Sequence, residues 1–524
     1  MQRRSTSVAA IAVAWVVAAQ LASTGSVEAQ LFDRALVIRN ARIVTMAGPV
    51  IERGSILIKG GRIAAIGPEV DAPFFSRTID ADGKTVTPGL IDAWSSLGRL
   101  NGSRGSADPT ASAWDAFDRF DRDSFRQALR NGVTTIYVGP TGGPGIAGTG
   151  VVVRLAPEPG GKAGKLIEEH AALAVNFGSS QNAIARAKTY LAIRKQFRTA
   201  LDYRQALEDY EEDLKEYIEK LEERREEKEK EEAKEKKEGD EDGEKEEDTP
   251  PEDSPKPEPK PTPKPEPEPD DNGDRVRGRT LTSSADADRR PNEENGDEEG
   301  GEDGDEKEAD EEGDEEKEEE LTKPTRPTPD RASEALLRAI DHELPLRIEA
   351  HRSEDILNAL QLAKEFRLDI ILEGATDAYL LADKLSEADV PVVLGPIVRT
   401  PLFEHNEHRR HTPRSAAVLE EAGVLWTTGS GGDDPMASRF VGLNAQLAAG
   451  HGATQMPWLA TVTTNAAKIL NLADRLGQLR RGLDADLVIW TGDPREASST
   501  VERTIVGGAV VYTAPSAKSQ GGGS

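Results

Sequence analysis

The sequence predicts an α/β protein built around a (β/α)8 barrel, and two observations support this prediction. Short apolar runs of four to six residues alternate with helical patterns through much of the chain, which is typical of a parallel sheet with connecting helices. A closed (β/α)8 barrel needs eight strands, and eight such runs are present. They lie near residues 86–92, 134–138, 151–155, 173–177, 346–350, 369–372, 390–394 and 424–427. The active site of such a barrel is expected at the C-terminal ends of its strands.

Before the first of these runs, residues 30–86 have a different pattern. Short apolar segments alternate with turn residues, and two of them are joined across Lys59-Gly60-Gly61. Glycine supplies the positive φ of a tight turn, so this pair is predicted to form a β-hairpin. The whole segment is predicted to be part of a small β-sandwich.

The negative charge of the chain is concentrated in one segment. The formal net charge of the 524 residues is −29, and residues 211–320 alone sum to −30. The remaining 414 residues are therefore almost neutral, at about +1. A nucleic-acid partner is not expected, because a phosphate backbone requires a basic surface.

Residues 211–330 are predicted to be an insert in the barrel, a charged helix followed by an acidic segment rich in Pro, Glu and Lys. The helical pattern covers 192–236, and its later part has few apolar positions. Residues beyond it are too polar to offset the entropy cost of ordering, so disorder is predicted there. Another glycine-rich run, 139–150, lacks the spacing of a nucleotide-binding loop and is predicted to be a loop over the barrel mouth.

The first 29 residues have the features of a Sec-type signal peptide. Arg3 and Arg4 precede an apolar run from Val8 to Ala22, and small residues stand before a predicted cleavage site after Ala29. An uncleaved anchor is the alternative, but the run is shorter than the roughly 20 residues of a membrane span. With no cysteine in the chain, disulfides and thiolate metal sites are absent. We expect a bacterial periplasmic or secreted protein with no membrane partner after cleavage.

Three motifs resemble the amidohydrolase superfamily, in particular imidazolonepropionase-like metal-dependent hydrolases. Pro88-Gly89-Leu90-Ile91-Asp92-Ala93 resembles the strand-1 signature of this family, Thr463-Thr464-Asn465-Ala466-Ala467 resembles its last barrel helix, and the run from Gly477 to Val488 resembles the return to its β-sandwich. The resemblance implies a barrel with a composite β-sandwich from both chain ends. The predicted parts are a signal peptide (1–29), the N-terminal part of the sandwich (30–86), the first half of the barrel (87–210), the insert (211–330), the second half of the barrel (331–473), the C-terminal part of the sandwich (474–513) and a flexible tail (514–524).

The same resemblance implies that most metal ligands of the family are missing. Strand 1 of the family ends in His-x-His, and the corresponding residues are Trp94 and Ser96. His351 matches the strand-5 histidine, whereas Gly374 stands at the strand-6 histidine and Gly429 at the strand-8 aspartate. A hydrolytic metal site needs several converging imidazoles and carboxylates. We therefore expect no metal cofactor at these positions.

Other side chains leave an alternative open. Glu349, Glu373 and Asp433 stand near predicted strand ends and are candidate catalytic residues together with His351. Asp433 and Asp434 are alternatively predicted to cap the helix that follows. A further set of histidines, His405, His408 and His411, is predicted to lie in a solvated loop.

The functional prediction has two classes. The first is a secreted pseudo-enzyme that pairs with an active amidohydrolase homologue, forms a homo-oligomer or binds a small molecule. The second is an active hydrolase of carbon–nitrogen bonds, the chemistry that the resemblance implies, with a site rebuilt around His351. A zinc ion or other divalent metal is expected only for the second class.

Overall fold

The computed structural model describes residues 35–99, 107–140, 143–157, 163–178, 182–239, 321–397, 408–431 and 434–515. The predicted signal peptide, the acidic segment 240–320 and most of the predicted tail lie outside these residues. The same is true of the candidate residues His405 and Asp433.

Strands dominate both ends of the described chain, and helices follow the strands of its middle. The strands are β1 (Leu36–Ile43), β2 (Ile51–Lys59), β3 (Arg62–Gly67), β4 (Arg77–Asp80), β5 (Thr85–Pro88), β6 (Leu90–Ser95), β7 (Val133–Val138), β8 (Gly145–Arg154), β9 (Lys165–Asn176), β10 (Leu346–Ala350), β11 (Ile370–Gly374), β12 (Val392–Leu394), β13 (Trp426–Thr428), β14 (Leu487–Trp490), β15 (Val501–Val506) and β16 (Ala509–Thr513). The helices are α1 (Arg122–Arg130), α2 (Ala183–Gly239), α3 (Arg331–Ile340), α4 (Ser353–Phe366), α5 (Ala382–Glu387), α6 (Ser415–Glu421), α7 (Val441–Gly450) and α8 (Ala466–Ile469). Shorter helical segments are Ala378–Leu381, Ala437–Phe440, Trp458–Ala460 and Thr461–Asn465.

The first sheet joins the two ends of the chain. Its order is β16-β15-β14-β5-β1-β2-β3, with β4 paired to β1. Strand β14 pairs with β5, so the C-terminal strands extend the N-terminal ones, and the predicted hairpin β2–β3 is present. Gly507 and Gly508 have positive φ and turn the chain from β15 into β16. Packing of this sheet as a sandwich stays a prediction.

The second sheet is a mixed α/β barrel of eight strands in the order β13-β12-β11-β10-β9-β8-β7-β6. Its barrel-like character agrees with the prediction, but its second, third and fourth strands do not follow a regular (β/α)8 pattern. Strand β8 is antiparallel to both β7 and β9. The cause is the length of the connections, because a parallel crossover needs a dozen or more residues and only six separate β7 from β8.

Strand β8 also corrects the prediction of a loop over 139–150. Residues Gly145–Gly150 belong to this strand, and every position of the strand except Gly145 is buried. Gly148 has φ +99 and lies so close to Ala111 that a side chain would overlap the backbone there. Glycine is needed here for close packing, not for a mobile loop.

The first and last barrel strands meet through the segments at their C-terminal ends. The Gly431 N–H donates to the Trp94 carbonyl at 3.0 Å. Asp92, which is completely buried, accepts hydrogen bonds from the Ser430 N–H at 3.0 Å, from Ser430 Oγ at 2.6 Å and from Ser438 Oγ at 2.7 Å. This contact between the end of β6 and the segment after β13 is called the seam below.

Helix α2 is longer than predicted, starting at Ala183 rather than near 192. The chain divides into two compact units, and the smaller one is Glu212–Pro324. Within the larger unit, Ile193 and Phe197 of α2 are buried in the same apolar cluster as Phe366. Within the smaller unit, α2 has exposed i,i+4 ion pairs such as Lys220–Glu216.

Of the helices in the described ranges, none is both long and apolar enough to cross a membrane.

A buried ionic cluster lies between β8 and the residues before β14. Arg154 contacts both Asp484 and Asp486, the latter at 3.1 Å, and Arg475 contacts Asp484 at 3.2 Å. The Gly507 N–H donates to Asp486 Oδ1 at 2.6 Å. Burial raises the pKa of Asp486 to about 6, which outweighs the opposite effect of the Arg154 guanidinium.

We expect the Asp486→Asn variant to lose part of the pH dependence of folding. Because the pKa of Asp486 is higher in the folded state, its contribution to stability is fully present below the unfolded pKa of about 4 and is lost as the pH rises to about 6. A shift of about two units corresponds to about 3 kcal/mol in the free energy of unfolding. Denaturant unfolding of both proteins from pH 4 to 7 measures this difference, and identical pH profiles would contradict the assignment.

Candidate functional site

Two adjacent strands bring most of the predicted site residues to the barrel interior. In β10, Leu346, Ile348 and Ala350 pack in the cluster formed with the helices. Side chains alternate along a strand, so Arg347 and Glu349 point to the opposite, interior face. Strand β11 is paired in register, with Glu373 beside Glu349.

Arg347 is almost completely buried, with 1% of its surface exposed. Its Nε donates to Glu373 Oε1 at 2.5 Å and its Nη2 donates to the Ala93 carbonyl at 2.5 Å. The guanidinium carbon lies 3.8 Å from the centroid of the Tyr137 ring, a cation–π contact. One cation thus connects β6, β7, β10 and β11.

The carboxyl group of Glu373 has a raised pKa. Burial is the main cause, and the nearby Glu349 carboxylate acts in the same direction. The guanidinium of Arg347 opposes both effects through its charge and its hydrogen bond. Burial also raises the pKa of the Tyr137 hydroxyl.

His351 lies at the end of β10 and is buried among polar groups. Its Nδ1 is 3.0 Å from Thr376 Oγ1, and its Nε2 is 3.7 Å from Glu349 Oε1. The same Thr376 hydroxyl is 3.0 Å from His408 Nδ1, and the two imidazole rings are perpendicular with centroids 4.2 Å apart. A hydroxyl has one proton, so it donates to one imidazole and accepts from the other. Glu349, His351, Thr376 and His408 form what is called the polar chain below.

Glu349 at the start of the polar chain is held by a further side chain. Its Oε2 accepts from Asn176 Nδ2 at 3.0 Å. Asn176 is fixed in turn, because its Oδ1 accepts the Gly178 N–H at 2.6 Å. The carboxylate is about a quarter exposed, in contrast to the buried Glu373.

Gly429 has no room for the carboxylate that the family resemblance places there. A Cβ atom at this position would lie 2.6 Å from Trp94 Cβ and 3.0 Å from the Trp94 carbonyl oxygen. Contacts of a Cβ below 3.0 Å essentially do not occur. Part of the conflict is with the Trp94 backbone, so a smaller residue at 94 would not remove it.

Gly374 also has no room for a ligand side chain, for a different reason. It has φ +76, a conformation that L side chains rarely adopt. A Cβ atom here would overlap the His351 ring and lie 2.9 Å from both ring nitrogens. The observed His351 conformation and a histidine ligand at 374 therefore exclude each other.

Trp94 and Ser96 are both buried at the end of β6. The Trp94 indole is tilted against His351, with ring centroids 6.5 Å apart. The Ser96 hydroxyl has no hydrogen-bond partner among the described residues. Neither side chain provides a nitrogen or carboxylate donor for a metal ion.

The donor set does not fit the metal centre that the resemblance implies. Within the described ranges, no group of three or more His, Asp and Glu side chains is arranged to hold a metal ion. His351 instead uses Nδ1 in the polar chain, and Glu373 is paired with Arg347.

The other residues that the sequence singled out lie in loop segments outside β10 and β11. Asp434 Oδ1 accepts the Met436 N–H at 2.9 Å in the turn before the helical segment Ala437–Phe440. The predicted capping role is wrong, because the cap position of that segment is Met436 and no side chain caps it. The His411 N–H donates to the His408 carbonyl at 3.0 Å, so these two histidines share one turn, and the His408 ring contacts the His351 ring.

Sequence reasoning did not identify Arg347, Thr376 or Asn176 as site residues. A signal existed for Arg347, because it alternates with Glu349 between the apolar residues of β10, and this places both on one face. Thr376 has no comparable alternation, since it lies beyond the end of β11 and follows Gly374 and Ala375, which both have positive φ.

Comparisons with known proteins agree with the fold and the C-terminal motifs. A family model described as amidohydrolase family matches residues 450–512. An imidazolonepropionase of Klebsiella pneumoniae is 34% identical over 133 residues, covering 20% of this chain and 33% of that protein. An L-hydantoinase of Paenarthrobacter aurescens is 33% identical over 110 residues, covering 21% of this chain and 20% of that protein. The chain therefore spans a third or less of these relatives.

A solved structure supports the fold over a longer range. The crystal structure of an amidohydrolase from Thermotoga maritima superposes with a TM-score of 0.60 and 22% identity, covering 91% of this chain and all of the other. This similarity concerns the fold, and the substrates of that protein are not transferred.

Proposed function

The chain belongs to the amidohydrolase superfamily, and from this premise we propose that it is a pseudo-enzyme, a member without metal-dependent hydrolysis. The observation that carries the proposal is the contact between Gly429 and Trp94, because an aspartate ligand cannot be accommodated there without moving the backbone of β6. The fold is kept while the space for ligands at 374 and 429 is taken by neighbouring residues.

The proposed role is binding, as a secreted partner of an active homologue or of a second copy of this chain. The ordered polar chain at the barrel mouth supports a small polar ligand as the alternative occupant of the old site, since its hydroxyl and imidazole groups both donate and accept hydrogen bonds. Secretion rests on the N-terminal sequence pattern alone.

We expect the purified full chain to hold well under one zinc ion per molecule after exposure to zinc and gel filtration. The reason is the missing donor set, since zinc sites in proteins use three or four protein ligands. Metal analysis measures the content, and hydrolysis of hydantoins and imidazolones is assayed in parallel. Near-stoichiometric zinc that is lost in His351→Ala but kept in a matched His342→Ala control, an exposed histidine paired with Asp369, would falsify the proposal.

A second candidate function is hydrolysis of carbon–nitrogen bonds at a rebuilt site without metal. The observation that favours it is the polar chain, in which a carboxylate, an imidazole and a hydroxyl stand in series. If it is correct, cyclic-amide hydrolysis persists in the presence of a chelator and falls strongly in Glu349→Gln. Activity that is absent from the wild-type chain in a panel of cyclic amides removes this candidate and leaves the pseudo-enzyme.

A further inference from the structure

The turn between β3 and β4 presents two adjacent phenylalanines to solvent. The Ser76 N–H donates to the Pro73 carbonyl at 3.0 Å, so Phe74 and Phe75 occupy the two central positions of a closed turn. The segment Pro73–Ser76 is called the tip below.

Phe74 and Phe75 are far more exposed than phenylalanine usually is in a folded protein. The side chains of Phe74 and Phe75 are 94% and 80% exposed, and their rings contact only edge to face, with centroids 5.1 Å apart. Single exposed apolar residues are ordinary, but adjacent exposed aromatics indicate an interaction site.

The tip is held on a packed base. Just before it, Val70 and Ala72 pack against the small cluster of Ala35, Val37 and Leu57. The backbone after it enters β4, which is paired with β1. The aromatic pair is thus presented by fixed backbone, which reduces the entropy cost of binding.

The area of the tip favours a lipid surface over a protein partner. A buried aromatic side chain covers about 150–250 Å², so the pair offers roughly 300–500 Å². A stable protein interface requires about 800 Å² from each partner. Insertion into the interfacial region of a bilayer needs only the two rings.

We propose that the tip inserts into the interface of a lipid bilayer and holds the folded chain at a membrane surface. The exposed charges flanking it are Glu69, Asp71 and Arg77, of mixed sign, so the attraction is apolar and does not require anionic lipid. This proposal departs from the sequence-based expectation of no membrane partner, because exposure of Phe74 and Phe75 is a property of the fold.

The test is the partition of the full chain into phosphatidylcholine vesicles, measured by flotation over a series of lipid concentrations. We expect Phe74→Ser/Phe75→Ser to lower the partition coefficient by at least about tenfold per phenylalanine. The matched control is Phe120→Ser, which removes a phenylalanine that is 61% exposed elsewhere and leaves the coefficient unchanged. All three proteins have the same N-terminus, so the difference reports on the tip.

A Phe75→Trp variant gives a second measurement that the N-terminal run does not affect. Insertion predicts that brominated phosphatidylcholine quenches the added tryptophan fluorescence, relative to the wild-type background. Equal partition of wild type and the double serine variant, with no added quenching, overturns the proposal. It is also overturned if the double variant changes only the oligomeric state in light scattering, since the tip is then a contact between copies.

Discussion

Replacement of Arg347 by methionine is expected to lower the free energy of unfolding by about 3–5 kcal/mol at pH 7, because Glu373 stays buried without its partner. The loss depends on pH. The pKa of Glu373 is already raised by burial, and removal of the guanidinium raises it further. A raised pKa gives stability at low pH that is lost as the pH rises, so the variant is less impaired near pH 4 than near pH 8. Denaturant unfolding at several pH values measures the effect.

The control for this prediction is the double variant Arg347→Met/Glu373→Met. Replacement of a whole buried ion pair by apolar groups of similar size is often neutral or stabilising, so most of the lost stability is expected to return. A second control is Arg338→Met, since Arg338 and Glu343 form an exposed pair for which about 0–1 kcal/mol is expected. If the double variant is no more stable than Arg347→Met, the pairing energy does not explain the loss.

The Arg347–Glu373 pair also shows where sequence reasoning reaches its limit. Alternation in β10 is enough to place Arg347 and Glu349 on one face. It does not give the partner, because Glu373 is 26 positions away and Ala93 is 254 positions away. A local pattern identifies a charged residue on the interior face, whereas the neutralisation of that charge depends on the register of four strands.

The fold was predictable where local patterns determine it. Apolar runs identified β10, β11 and β7, and the strand-1 motif identified β6. The direction of β8 was not predictable from its apolar run, because a buried strand has the same composition in a parallel or an antiparallel sheet. Only the short connection from β7, six residues long, carries that information.

In the candidate site too, the sequence predicts some features and others depend on contacts between strands. From the sequence, the resemblance to the family predicts that Trp94, Ser96, Gly374 and Gly429 stand at lost ligand positions. The sequence alone does not show whether a ligand side chain introduced by mutation would fit at these positions. The structure adds that a side chain at Gly429 collides with β6 and that a side chain at Gly374 collides with His351. This steric closure depends on distances between strands, so no sequence pattern reports it.

Asp92 is expected to be the residue on which closure of the barrel depends most. Asp92→Ala removes the carboxylate that accepts from Ser430 Oγ, Ser438 Oγ and the Ser430 N–H. The two hydroxyls keep the Trp94 carbonyl at 3.3 Å and Ser95 Oγ at 2.6 Å as neighbours, but lose the charged acceptor. Each lost acceptor costs about 1–3 kcal/mol and the three are coupled, so we expect the free energy of unfolding to fall by about 3–5 kcal/mol. Burial raises the pKa of Asp92, while its hydrogen bonds from Ser430 and Ser438 lower it. Denaturant unfolding measures the loss.

The positions that lose amide protection distinguish local opening of the seam from loss of stability throughout the barrel. In hydrogen exchange, the Gly431 amide, which donates to Trp94 across the seam, should lose protection in Asp92→Ala. The Leu346 amide, which donates to Asp369 between β10 and β11, is expected to lose less, because the seam can open while those strands stay paired. The single variant Ser438→Ala removes one donor and should show the same pattern at about 1 kcal/mol. Equal loss at Gly431 and Leu346 would mean that Asp92 stabilises the whole barrel and has no special role at the seam.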